Sequence, residues 1–134
     1  MFKYVILLLS LLLGTSALAS NNGKVLMESM CTSCHVTSGQ GVIAPPIFAV
    51  KNHVKNAYPA REDFIQQIVD WVEEPNQDVS LMPGAINKFG LMPKLGYSQQ
   101  DVEKIASYLY DEDLKSPRWY QKHYQEHHGT NTGY

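Results

Sequence analysis

Three stretches of the chain carry apolar residues at helical spacing. Val25, Leu26 and Met30 recur after Asn22, which is placed to cap the segment, and Met27 and Met30 are expected in its core. Between Pro59 and Glu74 the stripe is Phe64, Ile65, Ile68, Val69 and Val72, and Pro75 ends it. Asp70, Glu73 and Glu74 fall near that helix's C-terminus, the less favourable end for acids. The third stripe is Val102, Ile105, Ala106 and Leu109, preceded by Ser98-Gln99-Gln100-Asp101, which is similar to a capping box. No run alternates apolar and polar residues as a half-buried strand does. The pattern predicts an all-α domain.

A fourth apolar run, Val5 to Leu13, is of another kind. It follows Lys3, is interrupted only by Ser10, and leads through small residues to Ala17-Leu18-Ala19. That is the layout of a secretory signal peptide with cleavage expected after Ala19. The run is short of the ~20 apolar residues a membrane span needs, and no later stretch approaches that length. No cysteine near the cleavage point offers a lipid attachment site. The expected organisation is a signal peptide over 1–19, a domain over 20–112 and a tail over 113–134, exported to the periplasm with no membrane span after leader removal.

Composition adds two exclusions. Removing a leader with one base and no acid takes the formal net charge from −2 to about −3. A mildly acidic chain without a basic block is a poor nucleic-acid binder. Two cysteines cannot build a disulfide-dense scaffold.

Those two cysteines are Cys31 and Cys34, and His35 follows. C-x-x-C-H is the pattern of c-type haem attachment. A short turn holds two thiols on one edge of a ring, where each adds to a vinyl group, and the next residue offers an imidazole to the iron. Other readings account for less. A thioredoxin-like pair wants a βαβ context, a zinc site normally takes four protein ligands, and a plain disulfide leaves His35 without a role. Downstream lies Gly39 to Ile47, with Pro45 and Pro46, a rigid loop able to supply a carbonyl to the histidine's second nitrogen.

With these residues in hand, the stretch from Gly23 to Tyr110 resembles a class I monohaem cytochrome c. The resemblance implies a small helical fold wrapped around one covalently attached haem c, with the first and last helices crossing. It implies that Pro45 accepts the hydrogen bond from His35 and that Ile47, in place of the usual Leu, packs in the haem pocket. Val36 replaces the glycine that often follows the histidine. A His–Met axial pair raises haem potential, and two Met-Pro pairs are available, Met82-Pro83 and Met92-Pro93. The resemblance places the distal ligand a few residues before the last helix, which implies Met92, with Met82 as the alternative. His53, between Lys51 and Lys55, reads as a solvated surface residue, and Trp71 as packing on the haem or capping the core.

The tail falls outside the resemblance. His123 and His127 share a helix face at i, i+4, a spacing able to bind a metal. Without a third ligand, the stronger reading is a docking tail that packs Trp119 and Tyr120 onto the domain and leaves its histidines in solvent. Iron with two protein axial ligands has no open position, so the implied function is a non-enzymatic, one-electron carrier between redox donor and acceptor proteins. Net charge favours a basic partner surface, although Lys88 and Lys94 flank the methionine segment. The competing expectations are a haem subunit of a larger oxidoreductase, anchored by the tail, and a gas-binding sensor if the methionine ligand is absent.

Overall fold

A computed structural model describes residues 15–129 of the chain. The apolar run Val5–Leu13 therefore lies outside the described residues, and the expected cleavage point lies inside the first described helix. Six α-helices are described: α1 (Thr15–Met30), α2 (Ile47–Ala57), α3 (Arg61–Glu73), α4 (Pro83–Phe89), α5 (Gln99–Asp111) and α6 (Arg118–His128). A 3-10 turn over Gln77–Val79 joins α3 to α4, and no strand occurs among the described residues.

The main core forms where α5 packs against both α1 and α3. Met27, Phe64, Ile68, Val69, Val102, Ile105, Ala106 and Leu109 are buried there, as the apolar stripes require. Ser98 caps α5: its Oγ accepts from the Asp101 backbone N–H at 3.2 Å and donates to the Asp101 carboxylate at 2.8 Å. Asn22 does not cap α1. The helix already runs from Thr15, so Asn22 sits within it, exposed.

Gly23, next to it, sets the crossing of α1 on α5. A Cβ there would collide with the Lys104 carbonyl oxygen and lie 2.7 Å from Tyr108 Cβ. Helix propensity alone makes Gly→Ala stabilising by about 1 kcal/mol. The crossing reverses the sign: Gly23→Ala is expected to cost about 1–3 kcal/mol, as overpacking does. Denaturant unfolding of the purified protein checks this by a lower midpoint at unchanged slope.

Helix α2 is not marked by a single apolar stripe, because it packs in three directions. Ile47 and Val54 join the main core, while Phe48 and Ala49 join a second cluster with Tyr120 and Tyr124 of α6. Its lysines turn to the end of α5. Lys51 Nζ donates to the Glu112 carbonyl, and Lys55 Nζ donates to the Tyr110 carbonyl at 3.4 Å while lying 4.1 Å over that residue's ring. Cations at a helix C-terminus meet its orphan carbonyls and the negative end of its dipole. Arg61 adds a paired contact to Asp111 at 3.0 and 2.8 Å.

The tail docks through Tyr120, as expected, with Tyr124 beside it in place of Trp119. Tyr120 and Tyr124 are 3% and 1% exposed, whereas Trp119 is 41% exposed and touches Phe48 only edge-on at 6.3 Å. Positions 120 and 124 share the helix face buried against α2, and position 119 sits at its exposed edge. Removing residues 118–134 strips the cover from Phe48 and Ala49. A fully buried large side chain is worth about 1.5–3 kcal/mol, so the truncation is expected to lower the unfolding midpoint by roughly 10 °C. The visible absorption spectrum should stay nearly unchanged; both are read on one sample by absorbance-monitored melting.

Candidate functional site

The site begins where α1 ends. Cys31 N–H still donates to Met27 O at 2.9 Å, and the next turn closes through Cys34 N–H and His35 N–H, both donating to Cys31 O, at 3.2 and 2.8 Å. Thr32 Oγ1 donates back to the Glu28 carbonyl at 2.7 Å. The five motif residues thus form one turn leaving the helix, with Cys31 half-buried and Cys34 exposed, both free thiols. Burial and then the neighbouring Cys34 push the Cys31 thiol up to about 11.

The loop from Val36 to Ile47 returns the chain to His35. Its ends meet through Ile47 N–H donating to Val36 O at 3.0 Å. Gly41 allows the tight turn, since a Cβ there would run into the Ala44 carbonyl and lie 3.1 Å from Pro46 Cδ. The loop presents Pro45 O to His35 Nδ1 at 2.8 Å. A carbonyl only accepts, so Nδ1 carries the proton and Nε2 keeps its lone pair. Burial lowers the His35 pKa, with the Pro45 bond acting in the opposite direction. The result is a neutral imidazole oriented as metal-ligating histidines are.

Cys31, Cys34 and His35 line one cavity of about 420 Å³. Its walls are apolar side chains from every helix except α6. Met30 comes from α1, Ile47, Val50 and Val54 from α2, Ile68, Trp71 and Val72 from α3, and Val102, Ile105 and Leu109 from α5. Helix α4 adds Ala85, Ile86 and Phe89. Exposed Ile43, Leu91 and Leu95 stand at its open side. Trp71, left open between two roles, faces this cavity.

Both methionines line it as well, in different settings. Met82 is the N-cap residue of α4, its carbonyl accepting from Ala85 N–H and Ile86 N–H at 2.9 and 3.2 Å. Its side chain also packs against the Phe48–Tyr120–Tyr124 cluster. Met92 lies half-buried in the irregular segment between α4 and α5. That segment is tied to the haem-motif side by Tyr97 Oη, which donates to Met30 O at 3.1 Å. The residues between the two methionines are mostly helix α4 and not a loop.

Sequence reasoning missed α2 and α4, and with them several cavity walls. The signal for α4 is short but present: Pro83 at its first position, Gly90 after its last, and Ala85, Ile86 and Phe89 on one face between them. His53 is not a solvated residue. It is half-buried, with Nδ1 2.9 Å from Ala49 O and Nε2 3.1 Å from His128 Nε2.

No helix among the described residues is long and apolar enough to cross a membrane. No solved structure matches the chain significantly. The chain is similar to an uncharacterized protein of Aquifex aeolicus (strain VF5), 27% identical over 108 residues that cover 66% of this chain and 71% of the relative. The family model described as Cytochrome c matches residues 20–111, the stretch that holds the cysteine motif, His35, both methionines and α5. This chain belongs to the cytochrome c family, whose domains bind haem and transfer electrons.

Proposed function

We propose that this protein is an exported one-electron carrier holding a single haem c. Cys31 and Cys34 form the thioether bonds, His35 is the proximal iron ligand and Met92 the distal one, with Met82 as the alternative. The observation that carries the reading is the His35 Nδ1–Pro45 O bond of 2.8 Å, on a histidine lining the same cavity as both cysteines. It holds the tautomer an iron ligand needs. The donor set and the apolar walls fit haem c. When bound, haem supplies a one-electron iron couple whose potential follows axial ligands, burial and hydrogen bonding.

The chain's own residues then do three things. His35 and a methionine would hold the iron from the protein and leave no position for a substrate, so no residue is assigned a catalytic role. Trp71, Ile68, Ile86 and Phe89 exclude water from the cavity, which keeps the environment of low polarity. Two serines, Gln67 and Tyr97 are the polar exceptions facing it. Met92 is favoured over Met82 because Met82 is already committed, backbone to α4 and side chain to the tail cluster. The leader up to Ala19 supports export, and periplasmic redox proteins are the expected donor and acceptor.

The test is intact mass of the purified exported chain together with a potentiometric titration. The expected results are residues 20–134 plus one haem, and a single reversible couple with n = 1. A mass equal to the bare polypeptide, made in a host with working haem-attachment machinery, would overturn the assignment.

A further inference from the structure

The chain has five histidines, and four lie outside the haem motif. Three are on α6, and the fourth, His53, is on α2 beneath it. His53 is held as His35 is: its Nδ1 lies 2.9 Å from the Ala49 carbonyl oxygen, which only accepts, so Nε2 keeps the lone pair. That nitrogen lies 3.1 Å from Nε2 of His128. Tyr124, 1% exposed, orients both rings, stacking on His128 at 4.4 Å and meeting His53 edge-on at 5.1 Å.

We propose that His53 and His128 are the two protein ligands of a site for one divalent transition-metal ion of the imidazole-binding class, Zn²⁺ or Cu²⁺. Two nitrogens at metal–nitrogen distances of about 2.0–2.1 Å stand about 2.9 Å apart at a right angle and about 3.3 Å apart at the tetrahedral angle. The observed 3.1 Å lies between these values. Without an ion, His128 Nε2–H donates to His53 Nε2. With one, the exposed His128 turns slightly and passes to its Nδ1–H tautomer, so neutral rings release no net proton. Among the described residues no group of three or more potential ligands gathers, so water completes the coordination. The His53–Ala49 bond is the outer support that metal-bound imidazoles regularly have. Burial, the largest influence on it, lowers the His53 pKa and keeps the ring neutral. His123 and His127 also touch, with ring centroids 4.5 Å apart, but both are exposed on one helix and have no such support. An ion at His53–His128 joins α6 to α2, whereas one at His123–His127 joins nothing.

The site is independent of the haem assignment and is tested on the tag-free, full-length ferric holoprotein. Zn²⁺ and Cu²⁺ titrations by calorimetry should give one saturable ion per chain, and Zn²⁺ should raise the unfolding midpoint by mass action. His128→Ala, at an exposed position, should keep the fold while weakening binding about tenfold or more and removing the midpoint shift. The double variant His123→Ala/His127→Ala should bind as the native chain does. Failure of both ions to saturate the native chain overturns the proposal. Unchanged binding in His128→Ala, or binding lost in the double variant, overturns it equally.

Discussion

With Met92 as the proposed distal ligand, Met92→Ala is expected to lower the reduction potential by on the order of a hundred millivolts or more, a sizeable part of the ~0.8 V that axial ligands span. A thioether favours the ferrous state relative to the harder donors that replace it, so its loss shifts the couple downward. The same substitution removes the weak near-infrared charge-transfer band that the family resemblance implies for ferric His–Met ligation. It also opens the ferrous iron to carbon monoxide. Met82→Ala is expected to keep the band and move the potential only slightly. Its larger effect is on stability, because Met82 packs against the Phe48–Tyr120–Tyr124 cluster. Potentiometric titration of both variants beside the native chain reads this contrast. Reversed results would make Met82 the ligand.

The double variant Cys31→Ala/Cys34→Ala is expected to yield no covalent haem and little folded protein. On the proposed attachment, losing one cysteine would leave at most one thioether, and losing both would leave only His35 and a methionine to hold the haem. The cavity of about 420 Å³ then lacks a firmly held occupant. At ~24 cal/mol per Å³ an empty cavity of that size costs up to roughly 10 kcal/mol, an upper bound because this one opens to solvent. Domains of this size are stable by only about 5–15 kcal/mol. On the proposed attachment, folding as well as function is expected to depend on these two cysteines. Intact mass, a pyridine haemochrome spectrum and far-ultraviolet circular dichroism check it. A chain without haem that unfolds as cooperatively as the native protein would contradict it.

The parts of the site legible in the sequence are those whose chemistry is local. Cys31, Cys34 and His35 occupy one turn, so spacing alone brings them together, whereas Pro45, ten residues on, was implied as the His35 partner by the family resemblance. Helix α5 was legible from its Ser98 cap and single apolar stripe. Helix α2 was hidden because Ile47 and Val54, Phe48 and Ala49, and Lys51 and Lys55 serve three different neighbours, which blurs any one stripe. Its lysines read as surface residues, yet they meet carbonyls at the end of α5. His53 was misread for the same reason: its partners, Ala49 aside, come from a tail far along the chain. Gly23 suggests a turn locally, and only the approach of Lys104 and Tyr108 explains it as a helix crossing. Met92 and Met82 both face the cavity, and only the packing of Met82 against the tail cluster distinguishes them, a contact that spacing does not reveal.

The most direct test of the central claim is the visible and near-infrared spectrum of the purified native protein in both oxidation states, with carbon monoxide added to the reduced form. A haem c held by His35 and a methionine is expected to give a low-spin c-type spectrum when reduced, the near-infrared band when oxidised, and no rapid carbon monoxide binding. A missing band together with rapid carbon monoxide binding would mean that no methionine holds the iron, and the electron-carrier reading would fall.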